Sequence, residues 1–206
     1  MKCAMERGPI VGSSPVDRSE PGVSLSGTTS RALLFDAGLV FGNWMMRLPG
    51  HRLRLAVLRR IFQVDISGSA SVHRHVTLTA RRNLTIGDHT VINPHVYLDN
   101  RGGITIGSNC SVSIGTRIVT AGHMVDDSSF SGVGKPVVIG NRCWLGAWTL
   151  LLPGTSVGEG VILAAGAIAR GHLVENSIYA SPSAVPVRTR SELAQREPLH
   201  YRRFLQ

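Results

Sequence analysis

The chain has 206 residues, a length that suits one domain with a tail and leaves little room for two full-sized domains. Hydrophobic residues make up 43% of it, which excludes wholesale disorder, while aromatic residues make up only 5% and 23 residues are glycine. The formal charge is +9, and because Lys2 and Lys135 are the only lysines, 20 of the 22 basic residues are arginine. Arginine favours phosphate and carboxylate partners, so we expect an anionic ligand or surface. Nucleic acid is not expected, because the arginines are dispersed and not clustered with aromatic residues.

Residues 1–42 are expected to form a disordered or poorly ordered tail. The stretch 8–30 is rich in Gly, Pro, Ser and Thr, so it cannot bury enough surface to offset the entropy of ordering it. The first apolar run, 32–46, comes too late for a signal peptide, is interrupted by polar residues and glycines, and is too short to span a bilayer. The three cysteines form neither an even disulfide framework nor a CxxC metal motif. These features predict a cytoplasmic protein with free thiols.

Segment 43–65 is expected to cap the N-terminal end of the domain. It contains a short basic helix candidate at 51–62, in which aliphatic residues recur at helical spacing and most arginines lie off that stripe. We expect the aliphatic stripe to dock on the body of the protein. A weak contact of residues 47–60 with an anionic membrane surface is the alternative.

From residue 66 onward, aliphatic residues recur every six positions. A helix would repeat at 3.6 and a single strand at 2, so neither explains this period. Three sixes form one triangular turn of a β-solenoid, with the aliphatic residues inside and a small residue at each corner. The turns start at residues 66, 86, 106, 139 and 157. The third turn is 33 residues long, whereas three six-residue repeats need only 18 residues. The extra residues are expected to form a protruding loop, which we place at 124–138.

The predicted fold class is therefore an all-β solenoid of about five to six turns over residues 66–190, with a short N-terminal helix and the protruding loop. Residues 191–206 have helical composition with alternating charges, so we expect them to form a C-terminal helical cap.

Three sequence features resemble the hexapeptide-repeat acyltransferases: the repeat [Ile/Leu/Val]-Gly-x-x-[small]-x, the segment 134–169, and TAGHMVDD at 120–127. Within that family, the chain resembles the galactoside and maltose O-acetyltransferases. The lead-in at 43–60 and LDNRGGITIG at 98–107 resemble the exopolysaccharide (colanic-acid-type) group still more. The resemblance implies a left-handed parallel β-helix that assembles as a homotrimer with its sites between adjacent subunits. It also implies direct transfer of an acyl group, expected to be acetyl, from acetyl-CoA or another acyl-CoA to a hydroxyl of a sugar or glycosylated acceptor.

The resemblance implies that His123, at the base of the loop, is the general base. Histidine suits this role because its pKa lies near the operating pH. Asp126 or Asp127 would hold the imidazole, and the spacing does not select between them. Cys110 and Cys143 occupy the small corner position of the repeat, which favours a packing role over nucleophilic catalysis.

The implied donor site runs along an edge of the coil. Backbone groups of Ala147 and Ala165 would contact the pantetheine arm beside Trp144, and Gly146 and Gly166 would keep the groove open. Cations for the phosphates of the donor would be Arg170 and Arg188. The segments 169–171 and 180–188 depart from the family's TKD and AGNPAKVIR, respectively.

The implied acceptor-binding residues are Asn93 and Asp99. Asn93 lies thirty residues before His123, and we expect the repeat to place its turn beneath the one that ends at His123. An ordinary turn role is the alternative for both residues.

Two other functions remain open at the level of sequence. A zinc protein like the γ-class carbonic anhydrases would use histidines, and His75 and His95 occupy equivalent positions that should stack, with His73 and His89 nearby. The lead-in and loop do not match that family, and no metal is expected. A non-catalytic trimeric scaffold is the other alternative.

Overall fold

The computed structural model of the chain describes residues 30–123, 131–180 and 185–189. Two helices precede a parallel β-solenoid: α1 (Ser30–Met45) and α2 (His51–Arg60).

The solenoid has three parallel sheets, which form the three sides of each coil. Sheet A contains β1 (Asp65–Ile66), β4 (Leu84–Ile86), β7 (Ile104–Ile106), β12 (Val137–Ile139), β15 (Ser156–Val157) and β18 (His172–Leu173). Sheet B contains β2 (Ser71–Val72), β5 (Val91–Ile92), β8 (Ser111–Val112), β13 (Trp144–Leu145), β16 (Ile162–Leu163) and β19 (Ser177–Ala180), with β20 (Val185–Thr189) antiparallel to β19. Sheet C contains β3 (Thr77–Leu78), β6 (Tyr97–Asp99), β9 (Arg117–Val119), β14 (Leu150–Leu151) and β17 (Ile168–Ala169).

The predicted turn starts stack on one another in sheet A. Ile86 pairs with Ile66 and with Ile106, and Ile139 pairs with Ile106 and with Val157. All five side chains are buried, so they form one aliphatic column inside the solenoid. The predicted solenoid is therefore confirmed, and its core consists of side chains that stack between neighbouring coils.

The corners of the coil are filled by small buried residues, as the repeat predicts. Cys110 and Cys143 lie one above the other at the corner between sheets A and B. Each thiol lies near a backbone carbonyl of the following coil, Cys110 Sγ at 3.1 Å from the Gly140 oxygen and Cys143 Sγ at 3.2 Å from the Gly158 oxygen. The hydrogen bond with Cys110, and then burial, raise the pKa of Cys143, which favours packing over nucleophilic chemistry.

The N-terminal end is closed by two helices, where the sequence predicted one. Helix α1 begins at Ser30, so most of it lies in the segment that the sequence assigned to the tail. Tertiary contacts explain the difference. The Asn43 amide donates to the Leu78 carbonyl (2.9 Å) and accepts from the Leu78 N–H (3.0 Å). A Cβ at Gly42 would lie 2.7 Å from the Phe62 ring, so the glycine allows close packing there.

Helix α2 packs on β1 and β2 as predicted, but its buried face includes a charge. Arg54 is buried, and its guanidinium donates to the Val72 carbonyl (2.8 Å) and the Leu48 carbonyl (3.1 Å). Burial and the charge of Arg74 lower the pKa of Arg54. No helix in the described ranges is long and apolar enough to cross a membrane.

The third coil carries an antiparallel hairpin of β10 (Ala121–His123) and β11 (Gly132–Gly134). The hairpin therefore begins at Ala121, before the start of the predicted loop 124–138. It also ends before residue 138, because Val137 is already paired in sheet A. The predicted cap at 191–206 and residues 1–29 lie outside the described residues.

Candidate active site

The predicted site residues lie along two different edges of the solenoid. We call the corner column between sheets B and C edge BC; its turns include residues 93–96, 113–116, 146–149 and 164–167. We call the column between sheets C and A edge CA; it includes residues 99–103, the hairpin, and residues 170–171.

His123 is the last residue of β10, on edge CA, and its side chain is exposed. It lies opposite Gly132 in the hairpin. The base of the hairpin is closed by a 2.8 Å hydrogen bond from the Lys135 N–H to the Thr120 carbonyl. The imidazole is thus carried on strand-paired backbone at the surface of a rigid coil, which is a suitable position for a general base. Asp126 and Asp127 lie outside the described residues.

Asp99 lies beneath the hairpin, but its carboxylate is buried. It accepts two hydrogen bonds from Arg101, at 2.8 and 3.0 Å, and one from the Thr79 hydroxyl at 2.9 Å. Burial by itself would raise the pKa of Asp99, but the hydrogen bonds and the charge of Arg101 outweigh it, so the pKa lies below its ordinary value. An acceptor could reach this carboxylate only if Arg101 moved away, so the geometry favours a role in supporting the edge.

Asn93 lies on edge BC directly after β5 and is half-buried. Its Nδ2 donates to the Val112 carbonyl of the next coil at 2.9 Å, which fixes the orientation of the amide. Within the described part of the chain, its Oδ1 accepts no hydrogen bond. The oriented oxygen could therefore accept a bond from a ligand hydroxyl.

Beside Asn93, edge BC has a hollow of about 270 Å³ lined by Arg74, His75, Pro94, His95 and Ile114. The rings of His75 and His95 stack with centroids 4.8 Å apart, as the sequence predicts. Burial, followed by the charges of His95, Arg74 and Arg47, lowers the pKa of His75. In the described ranges no three His, Cys, Asp or Glu side chains are grouped where they could hold a metal ion.

Further along the same edge, the backbone N–H groups of Ala147 and Ala165 donate no hydrogen bond to another described residue. The two residues occupy equivalent positions of successive coils, and the Gly166 N–H donates to the Ala147 carbonyl at 2.8 Å. Ala165 and Gly166 are exposed. Edge BC thus has two backbone donors, in successive coils, that have no acceptor among the described residues.

The two glycines of this edge have different roles. Gly166 is in the left-handed region (φ +74°) and a Cβ there would meet nothing within 4 Å, in keeping with an open groove. Gly146 is buried, and a Cβ there would lie 2.6 Å from the Ala165 nitrogen and from the Leu163 carbonyl. Gly146 therefore allows two coils to stack closely, and its role in keeping the groove open stays a prediction.

Two tryptophans lie beside these donors. Trp144 is about half-exposed, and its Nε1 donates to the Ser113 hydroxyl at 3.0 Å. Trp148, which was not predicted from the sequence, is 62% exposed, and its backbone is in the left-handed region (φ 60°). Its ring covers Gly115, where a Cβ would lie 2.4 Å from the ring. Trp148 lies at the corner position that Gly115 and Gly166 occupy in neighbouring coils. A tryptophan at a position where the neighbouring coils have glycine is the sequence feature that could have identified it as a candidate site residue.

The two residues predicted to bind the phosphates of the donor lie in different parts of the coil. Arg170 is exposed and follows β17 on edge CA. Arg188 lies in β20, where its backbone pairs with Ile178, and its side chain is outside the described set.

Within one chain, the structure does not bring His123 and Asn93 together. They lie on the edges at opposite ends of the strands of sheet C, and the strand Tyr97–Asp99 alone separates those edges by about 10 Å at roughly 3.3 Å per residue. A proton transfer needs contact at about 3 Å. The turn that contains Asn93 does stack directly on the turn that ends at His123, as predicted, but the two residues lie on different edges of the solenoid.

Comparisons with known proteins agree with this architecture. The family described as bacterial transferase hexapeptide (six repeats) matches residues 136–171. The chain is 30% identical over 137 residues to WcaF of Escherichia coli (strain K12), which is named as a colanic acid biosynthesis acetyltransferase; the match covers 66% of this chain and 75% of WcaF. The chain belongs to the hexapeptide-repeat acyltransferases.

Other members of the family are also similar. The galactoside O-acetyltransferase of Escherichia coli (strain K12) is 26% identical over 188 residues, covering 80% of this chain and 90% of that protein. The solved hexapeptide-repeat acetyltransferase VCA0836 of Vibrio cholerae O1 biovar eltor, complexed with acetyl coenzyme A, superposes with a TM-score of 0.72 at 20% identity, covering 81% of this chain and 93% of that one. The predicted left-handed β-helix and the acyltransferase class are thereby confirmed.

Proposed function

We propose that this acyltransferase moves an acetyl group from acetyl-CoA to a hydroxyl of a sugar or glycosylated acceptor in polysaccharide biosynthesis, in a cytoplasmic homotrimer. The observation that carries the proposal is the exposed His123 on a strand-paired hairpin at the edge of an acyltransferase coil. Relatives named for galactoside and colanic acid chemistry support the acceptor class, and VCA0836 with acetyl coenzyme A supports the donor.

In the proposed reaction, the neutral imidazole of His123 takes the proton of the acceptor hydroxyl as its oxygen attacks the thioester carbonyl. The tetrahedral intermediate then collapses, the carbon–sulfur bond breaks, and the imidazolium returns the proton to the departing thiolate. The products are an acetyl ester and the free thiol of CoA. Both substrates are present together, so no acyl-enzyme forms; the buried, hydrogen-bonded Cys110 and Cys143 are consistent with this route.

Edge BC supplies the binding functions in this proposal. The N–H groups of Ala147 and Ala165, which donate to no described residue, suit the amides of the pantetheine arm, because backbone donors need no particular side chain. The exposed rings of Trp144 and Trp148 offer apolar surface beside that arm and limit the access of water. The oriented Oδ1 of Asn93 suits an acceptor hydroxyl, with the neighbouring hollow as room for the sugar.

The separation of the edges supports a site shared between subunits. His123 on edge CA of one chain must meet edge BC of another, because sheet C stands between the two edges of any single chain. Rings of three identical chains use such heterologous contacts, in which one patch meets a different patch of its neighbour.

The test is an assay of acetyl-CoA with a panel of sugar acceptors, reading thiol release and acetyl transfer. His123→Ala should lower kcat by about 10²–10⁴ with an unchanged melting temperature, because the side chain is exposed and outside the aliphatic columns. His172→Ala is the matched control, since His172 is also an exposed histidine on the coil. Activity of His123→Ala within a few-fold of the control would exclude His123 as the base.

A further inference from the structure

The outer surface of helix α1 carries a stripe of apolar side chains. The stripe repeats at i, i+1, i+4, i+7, i+8 and i+11 and consists of Leu33, Leu34, Ala37, Val40, Phe41 and Trp44. Leu34 and Val40 are more than 70% exposed, and Leu33, Phe41 and Trp44 are more than 50% exposed. Together these side chains expose on the order of 500 Å² of apolar surface, a size that marks an interaction site. The side of α1 that packs on the rest of the chain carries Gly42, which lies against Phe62, and Asn43, which is hydrogen-bonded to Leu78 of β3.

Helix α2 carries positive charge on its outer surface. Arg52, Arg59 and Arg60 are exposed, while Val57 and Leu58 on the other side of the helix are buried. The three arginines line an open hollow of about 490 Å³ together with His51, Leu55 and Ala56 of the same helix and Gly68 of the first coil. Between residues 30 and 62 the sequence has six arginines and a single acidic residue, Asp36.

Both helices close the same end of the solenoid. Helix α1 contacts β3, whereas α2 contacts β1 and β2, so the two helices lie over the three strands of the first coil. The apolar stripe and the exposed arginines are therefore carried by two neighbouring helices at one end of the molecule, and we call the two together the cap surface.

We propose that the cap surface docks on a membrane rich in anionic phospholipid. An apolar helix face beside a cluster of arginines is typical of segments that lie in the interface of a bilayer, where the apolar side chains enter the acyl boundary and the arginines meet the headgroups. The 16 residues of α1 measure about 24 Å, shorter than the roughly 30 Å hydrocarbon core, so the helix lies along the surface.

A second copy of the chain fits the cap surface less well. In a two-fold contact the same patch meets itself, so the arginines of one copy would face those of the other. Like charges brought together in this way oppose association, whereas anionic headgroups neutralise them.

The test is cosedimentation of the full chain with vesicles of phosphatidylcholine alone or with about one third phosphatidylglycerol. The wild-type chain should bind the anionic vesicles, and raising the salt from about 0.1 to 0.5 M should weaken binding by screening. Val40→Glu should lower the partition coefficient about tenfold or more, because it adds a charge to the apolar stripe. Arg52→Gln with Arg60→Gln should lower it roughly 30-fold, and Arg59 is left intact because it donates to the Ile66 carbonyl.

Val174→Glu is the matched control, because it is the same substitution at an exposed valine of the last coil. It should bind vesicles like the wild type, and all variants should keep the wild-type melting temperature. Equal binding of Val40→Glu and Val174→Glu would overturn the proposal, as would wild-type protein that stays in the supernatant. If the wild type ignores vesicles and Val40→Glu lowers the mass measured by light scattering, the occupant is a second copy and the proposal is wrong. Transferase activity does not enter these readouts, so the outcome is independent of the proposed reaction.

Discussion

A site shared between chains can be tested by mixing two inactive variants. His123→Ala removes the proposed base on edge CA. Ala165→Trp places a large ring on the exposed surface of edge BC, where it should block the donor without disturbing the core. Each variant alone should have at most about 10⁻² of wild-type activity.

The expected recovery follows from the geometry. The strands of sheet C separate the two edges by about 10 Å or more, so a site must combine edge CA of one chain with edge BC of a neighbour. In randomly mixed trimers, each half-site is intact with a probability of one half. A site therefore has both intact halves in about a quarter of cases, and co-expression in equal amounts should restore about a quarter of wild-type activity.

The assay is thiol release by the co-purified mixture, with the melting temperature of each variant measured first. A mixture of His123→Ala with Val174→Trp is the control, in which the second chain keeps an intact site and the ring lies elsewhere on the surface. If the mixture of His123→Ala and Ala165→Trp remains as inactive as its components, the site lies within one chain or the protein is not an oligomer of this kind, and the reasoning from the two edges fails.

Three further predictions concern single residues. Asn93→Ala should raise the acceptor KM and leave the acetyl-CoA KM nearly unchanged; an equal loss for both substrates with a lower melting temperature would identify a turn residue. Gly146→Ala should lower the free energy of unfolding by about 3 kcal/mol, because its Cβ meets the backbone of the next coil, whereas Gly166→Ala should cost only about 1 kcal/mol for its left-handed φ. Similar losses in urea unfolding would contradict this packing argument. Because the folded-state pKa of Asp99 lies below the unfolded value of about 3.9, its stabilising contribution is present above that value and is lost as pH falls through the folded pKa. The stability difference between wild type and Asp99→Asn should therefore shrink below about pH 4, and a difference that stays constant from pH 5 to pH 2 would refute this account.

The solenoid could be predicted from the sequence because its cause is local and repeated. In each coil, one aliphatic residue in every six points into the core, so the period of the fold can be read from the sequence. Ile66, Ile86 and Ile106 are examples. Helix α1 could not be predicted in this way, since Asn43 is paired with Leu78, 35 residues away.

The candidate site was predicted only in part. The chemical role of a residue can be inferred from its type and its position in the repeat, whereas its neighbours depend on how the coils stack. His123 could be singled out from its position at a break in the repeat. The separation of His123 from Asn93 depends on which corner each occupies: His75 and His95, twenty residues apart, share one edge, whereas thirty residues do not make a whole number of turns. The burial of Asp99 depends on Arg101 and Thr79, whose contacts form only when coils stack.

The hairpin leaves and re-enters the solenoid without altering its register. Val119 still pairs with Asp99 before the excursion, and Val137 with Ile104 after it, so the coil on either side does not depend on what lies between. Closing a longer flexible loop costs only about 0.6 kcal/mol for each doubling of its length. The residues that follow the proposed base His123, 124–134, can therefore be exchanged at low cost, and variation there is a route by which evolution or engineering could give the same coil a new acceptor.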